Sequence, residues 1–143
     1  KEVGKTKNPV WLKRGMSSTL EEWYNASEYI RSEGNENIIL CERGIRTFED
    51  YTRNTLDLMS VPIMKSKTGY PVIVDPSHGT GRKELIEPAS KAAIAVGADG
   101  IMIEVHPYPE EALSDGLQSL NFNDFERVLA EVRQVYNLLR KIN

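Results

Sequence analysis

Four short stretches of the chain are nearly continuous in apolar residues: 9–13 (PVWLK), 37–41 (NIILC), 71–74 (PVIV) and 100–103 (GIMI). A half-exposed strand alternates apolar and polar positions. These do not, so they read as strands buried on both faces of a parallel sheet. They begin at residues 9, 37, 71 and 100, a rhythm of about 30 residues that matches one βα unit with its return connection. No duplicated sequence accompanies the rhythm, so the recurrence is architectural.

Helical patterns fill the intervals. Residues 18–32 place Leu20, Trp23, Ser27 and Ile30 on one face, with Ser18 and Glu21 at capping-box spacing and Gly34 just past the end. Residues 52–66 form a weaker pattern that Pro62 interrupts or divides. Residues 82–96 align Leu85, Ala89, Ala92 and Val96, accept Pro88 in the early turns and stop at Gly97. The clearest pattern is 123–142, where Phe125, Val128, Leu129, Val132, Val135, Tyr136 and Leu139 make a broad stripe behind an Asn123 cap. The expected order is therefore β-α four times over.

Each strand is followed directly by polar residues: Lys13-Arg14-Gly15, Glu42-Arg43-Gly44, Asp75-Pro76-Ser77-His78 and Glu104-Val105-His106. In parallel α/β folds, active sites lie at the carboxyl ends of the strands. Four such placements in four strands are hard to assign to core packing, and they point to a site.

Composition narrows the partners. Of 143 residues, 18 are Lys or Arg and 21 are Asp or Glu, a formal charge of -3. With no basic excess to neutralise a phosphate backbone, nucleic acid is not expected as a partner. No run approaches the roughly 18 apolar residues of a spanning helix, and the first residues lack a signal peptide's apolar stretch. The expectation is no membrane association and a cytoplasmic location. The chain has one cysteine, Cys41, which excludes an internal disulfide and reads as an inert strand residue. It starts at Lys1 rather than Met, which raises the expectation of a missing upstream segment.

Two sets of side chains carry candidate chemistry. His78, Glu104 and Asp115 offer one imidazole and two carboxylates, a donor set for Mn²⁺, Fe²⁺ or Zn²⁺. Ends of adjacent strands lie about 5 Å apart, close enough to share one ion. Scattered as they are, the three could equally be hydrogen-bonded loop residues, and His106 could replace His78 or support it. The second set is cationic: Lys13, Arg14, Arg43, Arg46 and Arg82. A solvated rim is the ordinary fate of such residues, but Lys13 and Arg43 end apolar strands, where an unpaired charge is costly unless it meets an anion. That favours a phosphorylated or carboxylated substrate. The run His78-Gly79-Thr80-Gly81-Arg82 reads either as a phosphate cradle or as a tight βα turn.

Taken together, PVWLKRGMSSTLEEW, IILCERGIRTFE, PVIVDPSHGTGRKELIEP and GADGIMIEVHPYPEEALSDGLQSL strongly resemble the C-terminal half of 3-deoxy-D-arabino-heptulosonate 7-phosphate (DAHP) synthase in its short, single-barrel form. DPSHGTGR and CERGIRTFE are its most specific motifs. The resemblance implies an α/β fold of four βα units, strands five to eight of a (β/α)8 TIM barrel, with residues 1–143 forming a single partial domain. It implies a shikimate-pathway transferase that condenses phosphoenolpyruvate with erythrose 4-phosphate and releases phosphate. His78, Glu104 and Asp115 correspond to the family's divalent metal ligands. Lys13 and Arg43 correspond to its phosphoenolpyruvate contacts, with Lys13 and His78 as catalytic candidates. The family's cysteine ligand sits in a Gly-Pro-Cys motif absent here, as are its Lys-Pro-Arg-Thr and Gly-Ala-Arg segments. The expected partner is therefore a missing N-terminal half-barrel or a further copy of the chain. Two alternatives stand beside this: 3-deoxy-D-manno-octulosonate 8-phosphate synthase, which shares the chemistry, and a half-barrel that binds ligand without turnover.

Overall fold

The computed structural model describes residues 1–142. Four parallel strands lie side by side in chain order, β1 (Val10–Lys13), β2 (Ile38–Glu42), β3 (Val72–Val74) and β4 (Gly100–Ile101), the arrangement of consecutive units of a (β/α)8 barrel. In register, Leu12 lies opposite Leu40, Leu40 opposite Val72 and Val74 opposite Ile101. The ladder runs past the strand ends, with Arg14 N donating to Cys41 O, Asp75 N to Glu42 O and Met102 N to Val74 O. Residues following one strand are thus held by the next, and the polar groups there share one rim.

Burial is complete along β3 and broken only at the half-buried Ile39 in β2, the two strands with a neighbour on each side. It fails for β1, an edge strand that alternates, leaving Trp11 half exposed while Val10 and Leu12 pack inward. The fourth strand is shorter than its apolar run. Among the described residues it pairs only with β3, itself three residues long; Met102 keeps one hydrogen bond to Val74 O, and Ile103 lies beyond the strand.

The helices cover the sheet. In α1 (Leu20–Arg31), Trp23, Ser27 and Ile30 face inward as the pattern required, and Trp23 Nε1 donates to Leu12 O at 3.2 Å. The capping box falls one residue later than expected, between Thr19 and Glu22, and is worth about 1 kcal/mol. The next helix, α2 (Ser60–Thr68), begins well after Thr52. Pro62 sits in its first turn, where the missing N–H costs nothing, and residues 52–59 are irregular. A helix that sequence periodicity did not show, α3 (Pro76–Thr80), is a single turn directly after β3. In α4 (Lys83–Ala95) the buried face is Ile86, Ser90, Ala93 and Ile94, about one residue round from the expected stripe. The last helix, α5 (Phe122–Ile142), is capped by Asn121 rather than Asn123, since Asn121 Oδ1 accepts from Asp124 N at 2.8 Å. Tyr136 of its stripe is exposed.

Two cores result. One joins Trp23 and Ile30 of α1, Val61 and Met64 of α2, and the strand residues Ile38, Leu40, Val72 and Val74. The other joins Ile86 and Ile94 of α4 to Val128 and Val132 of α5 through Leu120. Each fully buried side chain of this size contributes about 1.5–3 kcal/mol. Among the described residues no helix is long and apolar enough to cross a membrane.

Candidate active site at the carboxyl ends of the strands

The site is organised around Asp75, a fully buried carboxylate one residue beyond β3. Its Oδ1 caps α3 by accepting from His78 N at 2.9 Å, and its Oδ2 lies 2.8 Å from His78 Nδ1. The same Oδ2 is 2.7 Å from Lys13 Nζ at the end of β1. An oxygen that already accepts from an ammonium is an acceptor for the imidazole as well, which places a proton on Nδ1; it is then at Nε2 that the neutral ring offers a lone pair. That nitrogen faces Glu104, 3.8 Å from its Oε2.

Glu104 is placed through its backbone. Its N–H donates to the buried Ser77 hydroxyl at 3.0 Å, and its carbonyl accepts from Leu120 N at 3.0 Å. Asp115 approaches from the loop between β4 and α5 in a left-handed conformation, φ 56°. Ligand atoms of His78, Glu104 and Asp115 all lie within 4.8 Å of one another. One imidazole nitrogen and two carboxylates at this separation are a donor set that fits a single divalent cation of the Mn²⁺, Fe²⁺ or Zn²⁺ kind. A carboxylate behind the histidine is the usual means of fixing such a ligand.

The cations of the rim divide into two kinds. Arg14 is buried and committed, its Nη1 donating to Glu42 Oε2 at 3.0 Å and Asp57 Oδ2 at 2.8 Å. Burial works against its charge, but the hydrogen bonds to Asp57 and Glu42 outweigh that and raise the guanidinium above its ordinary value. Glu42 also accepts from Gly44 N at 2.7 Å, so this cluster shapes the turns carrying Lys13 and Arg43. Gly44 is obligatory there: its φ is 88°, and a Cβ would stand 2.6 Å from Asn54 Cβ. Arg43 is uncommitted in part, because its Nη1 is buried without a hydrogen-bond partner among the described residues. An orphaned guanidinium nitrogen is an unsatisfied donor, of the kind that anions satisfy. Arg82 pairs with Glu84 instead, and Arg46 is exposed.

The structure adds detail at three points of the sequence reading. Lys13 does meet an anion, but within this structure that anion is Asp75. The glycine run after β3 is not an open cradle, since His78, Gly79, Gly81 and Arg82 already donate their N–H groups to Asp75 Oδ1, Asp75 O, Ser77 O and Thr80 Oγ1. His106 stands outside the cluster, its Nδ1 accepting from Tyr108 N at 3.1 Å. Cys41 is inert as expected: burial, and next the Asp75 carboxylate, push its thiol up to about 12.

Three contributors received no role from sequence reasoning, although Asp75 stood among the strand-end polar residues. Asp75 had a signal, an Asp one residue before a helix-starting Pro and three before His78. Arg53 and Gln118, which contact Asp115 and Glu104, had none.

The sequence profile of the DAHP synthetase I family matches residues 1–141. The chain is 54% identical over 138 residues to the phospho-2-dehydro-3-deoxyheptonate aldolase of Thermotoga maritima, covering 96% of this chain and 41% of that one. It is 38% identical over 145 residues to the 2-dehydro-3-deoxyphosphooctonate aldolase of Geobacter sulfurreducens, covering 94% of this chain and 52% of that one. A solved structure of a truncated 3-deoxy-D-arabino-heptulosonate 7-phosphate synthase from Thermotoga maritima superposes with a TM-score of 0.93 at 54% identity, over 95% of this chain and 52% of that chain. The chain thus spans about half the length of the relatives it matches. With its four parallel units and both specific motifs at one rim, it belongs to the DAHP synthetase I family.

Proposed function

We propose that this chain supplies the metal-ligand and phosphoenolpyruvate side of a 3-deoxy-7-phosphoheptulonate synthase site, which joins phosphoenolpyruvate to erythrose 4-phosphate and releases phosphate. The observation that carries the reading is the convergence of His78, Glu104 and Asp115 within 4.8 Å, next to a Lys13–Asp75 pair and the orphaned Arg43 Nη1. The heptulosonate relative at 54% identity supports this substrate pair over the octulosonate relatives, such as the one at 38%.

In this reading His78 Nε2 and carboxylate oxygens of Glu104 and Asp115 hold a divalent cation, whose contribution when bound is Lewis-acid polarisation of a substrate oxygen. Asp75 keeps His78 in the tautomer that presents a lone pair. Arg43 Nη1 takes a phosphoenolpyruvate oxygen, and the Lys13 ammonium, held at its position by Asp75, donates to the same anion and offsets its charge. Lys13 is also the candidate for proton transfer in this reading. The Gly-Pro-Cys and Lys-Pro-Arg-Thr segments of the family are not in this sequence, so a partner half-barrel is proposed to complete the aldose phosphate side.

The test is an assay of the intact protein with Mn²⁺ and phosphoenolpyruvate, offering erythrose 4-phosphate and arabinose 5-phosphate side by side. Heptulosonate formation that a chelator abolishes is expected. Preferential octulosonate formation would transfer the reading to the octulosonate enzyme, and chelator-resistant turnover would overturn the metal assignment.

A further inference from the structure

We infer that Arg53 is a positioning residue for the proposed cation site, setting the orientation of both of its acidic ligands at once. The inference rests on the reading of His78, Glu104 and Asp115 as ligands. Arg53 Nη1 donates to Asp115 Oδ1 at 2.7 Å and to Gln118 Oε1 at 2.8 Å. Gln118 Nε2 then donates to Glu104 Oε2 at 2.6 Å. The direction of this relay is forced: a guanidinium can only donate, so the amide oxygen faces it, and the amide nitrogen is left for the carboxylate. Gln118 is buried, which holds the amide in that orientation. One guanidinium therefore fixes Asp115 directly and Glu104 through a single intermediary.

Arg53 is itself fixed against the third ligand. Its backbone N–H donates to Thr80 O, Asn54 N to Gly79 O and the Asn54 side-chain nitrogen to His78 O, each at 2.9 Å. Gly81 makes the approach possible, because a Cβ there would lie 2.6 Å from Arg53 Cβ. The dipeptide Arg53-Asn54 thus touches the turn of His78, the side chain of Asp115 and, through Gln118, that of Glu104.

Two effects of the guanidinium oppose each other. Its charge repels a dication, and its hydrogen bonds pre-orient the ligands. Arg53 is nearly half exposed, so solvent and salt screen the repulsion and weaken the Asp115 ion pair with it, whereas the hydrogen bond to the neutral, buried Gln118 amide is much less sensitive to screening. Orientation should win, and removing Arg53 should weaken the site.

The experiment is Mn²⁺ binding to the intact protein, followed by the electron paramagnetic resonance signal of the free ion, alongside the melting temperature of the metal-free protein. Arg53→Met is expected to weaken Mn²⁺ binding by about 10–100-fold, the usual effect of losing a group that orients metal ligands. Its metal-free melting temperature should stay close to that of the unsubstituted protein. Gln118→Leu should weaken binding as well, and the double variant should lose less than the product of the two single losses, because one relay is cut twice. Arg53→Lys should recover part of the affinity. Should Arg53→Met fail to fold, Gln118→Leu and Arg53→Lys carry the same comparison. Undiminished Mn²⁺ affinity in Arg53→Met or Gln118→Leu overturns the inference while leaving the metal reading intact. Absence of Mn²⁺ binding by the unsubstituted protein overturns the metal reading and this inference with it.

Discussion

Lys13 and His78 meet on a single atom: Asp75 Oδ2 lies 2.7 Å from the Lys13 ammonium and 2.8 Å from His78 Nδ1. Asp75 receives a third donor, His78 N, on its other oxygen. An asparagine offers one acceptor oxygen and turns an NH₂ group toward one of these donors. If that group faces the ring, the imidazole proton moves to Nε2, the atom that faces Glu104. Asp75→Asn is therefore expected to retain the fold and lose about 10–100-fold in Mn²⁺ affinity. Nitrogen NMR of His78 should report the tautomer change, and unchanged affinity would remove Asp75 from the site.

The Arg14–Glu42 pair makes a stability prediction rather than a binding one. Glu42 is fully buried and Arg14 is 5% exposed, so removing the cation strands an acid in the interior. Arg14→Met should cost about 3–5 kcal/mol in urea unfolding. Arg14→Met with Glu42→Gln should cost less than the sum of the two single changes, since the stranded charge is gone. Additive losses would show that the pair does not couple.

The parts of the fold legible in the sequence were those that local pattern controls. Continuous apolar runs located β2 and β3, whose two neighbouring strands bury them, but misjudged β1, because being an edge is a property of the sheet and not of PVWLK. The Trp23, Ser27 and Ile30 face was legible from spacing alone. Residues 52–59 were not, because their conformation is set by distant partners such as Ile45, which pairs with Thr55, and Thr80, whose carbonyl accepts from Arg53. The candidate site divides in the same way. His78, Glu104 and the Lys13 and Arg43 strand ends stood out by position, whereas Arg53 and Gln118 act over long sequence separations and carry no periodic signature. Lys13 showed its charge in the sequence, but its anion was visible only once β1 and β3 were placed on one rim.

Cys41 makes a pH prediction. An ordinary thiol ionises around 9.0, and in the fold this one stays protonated up to about 12. Above pH 9 the unfolded chain releases a proton that the folded chain keeps, so stability falls as pH rises through the window between the two values. Cys41→Ala lacks that dependence. The stability difference between the unsubstituted protein and Cys41→Ala should shift against the former by about 1 kcal/mol by pH 10. Comparing the two proteins cancels the titration of lysines and tyrosines. A pH-independent difference would place the thiol in a wetter environment than its burial implies.

Asp115 separates the backbone demands of its loop from the chemistry of its carboxylate. It holds φ 56°, a left-handed conformation that costs most residues about 1–2 kcal/mol and is tolerated best by Gly, Asn and Asp. Asp115→Asn keeps that tolerance and the side-chain shape, so urea unfolding of the metal-free protein should be nearly unchanged. It removes the negative charge offered to the cation, so Mn²⁺ affinity should fall by at least 10-fold, as for loss of a first ligand's supporting group or more. Asp115→Ala should lose the affinity and, in addition, about 1 kcal/mol of metal-free stability from the strained backbone. If Asp115→Asn bound Mn²⁺ normally while Asp115→Ala did not, Asp115 would matter for the turn it permits, and the cation would be held by His78 and Glu104 without it.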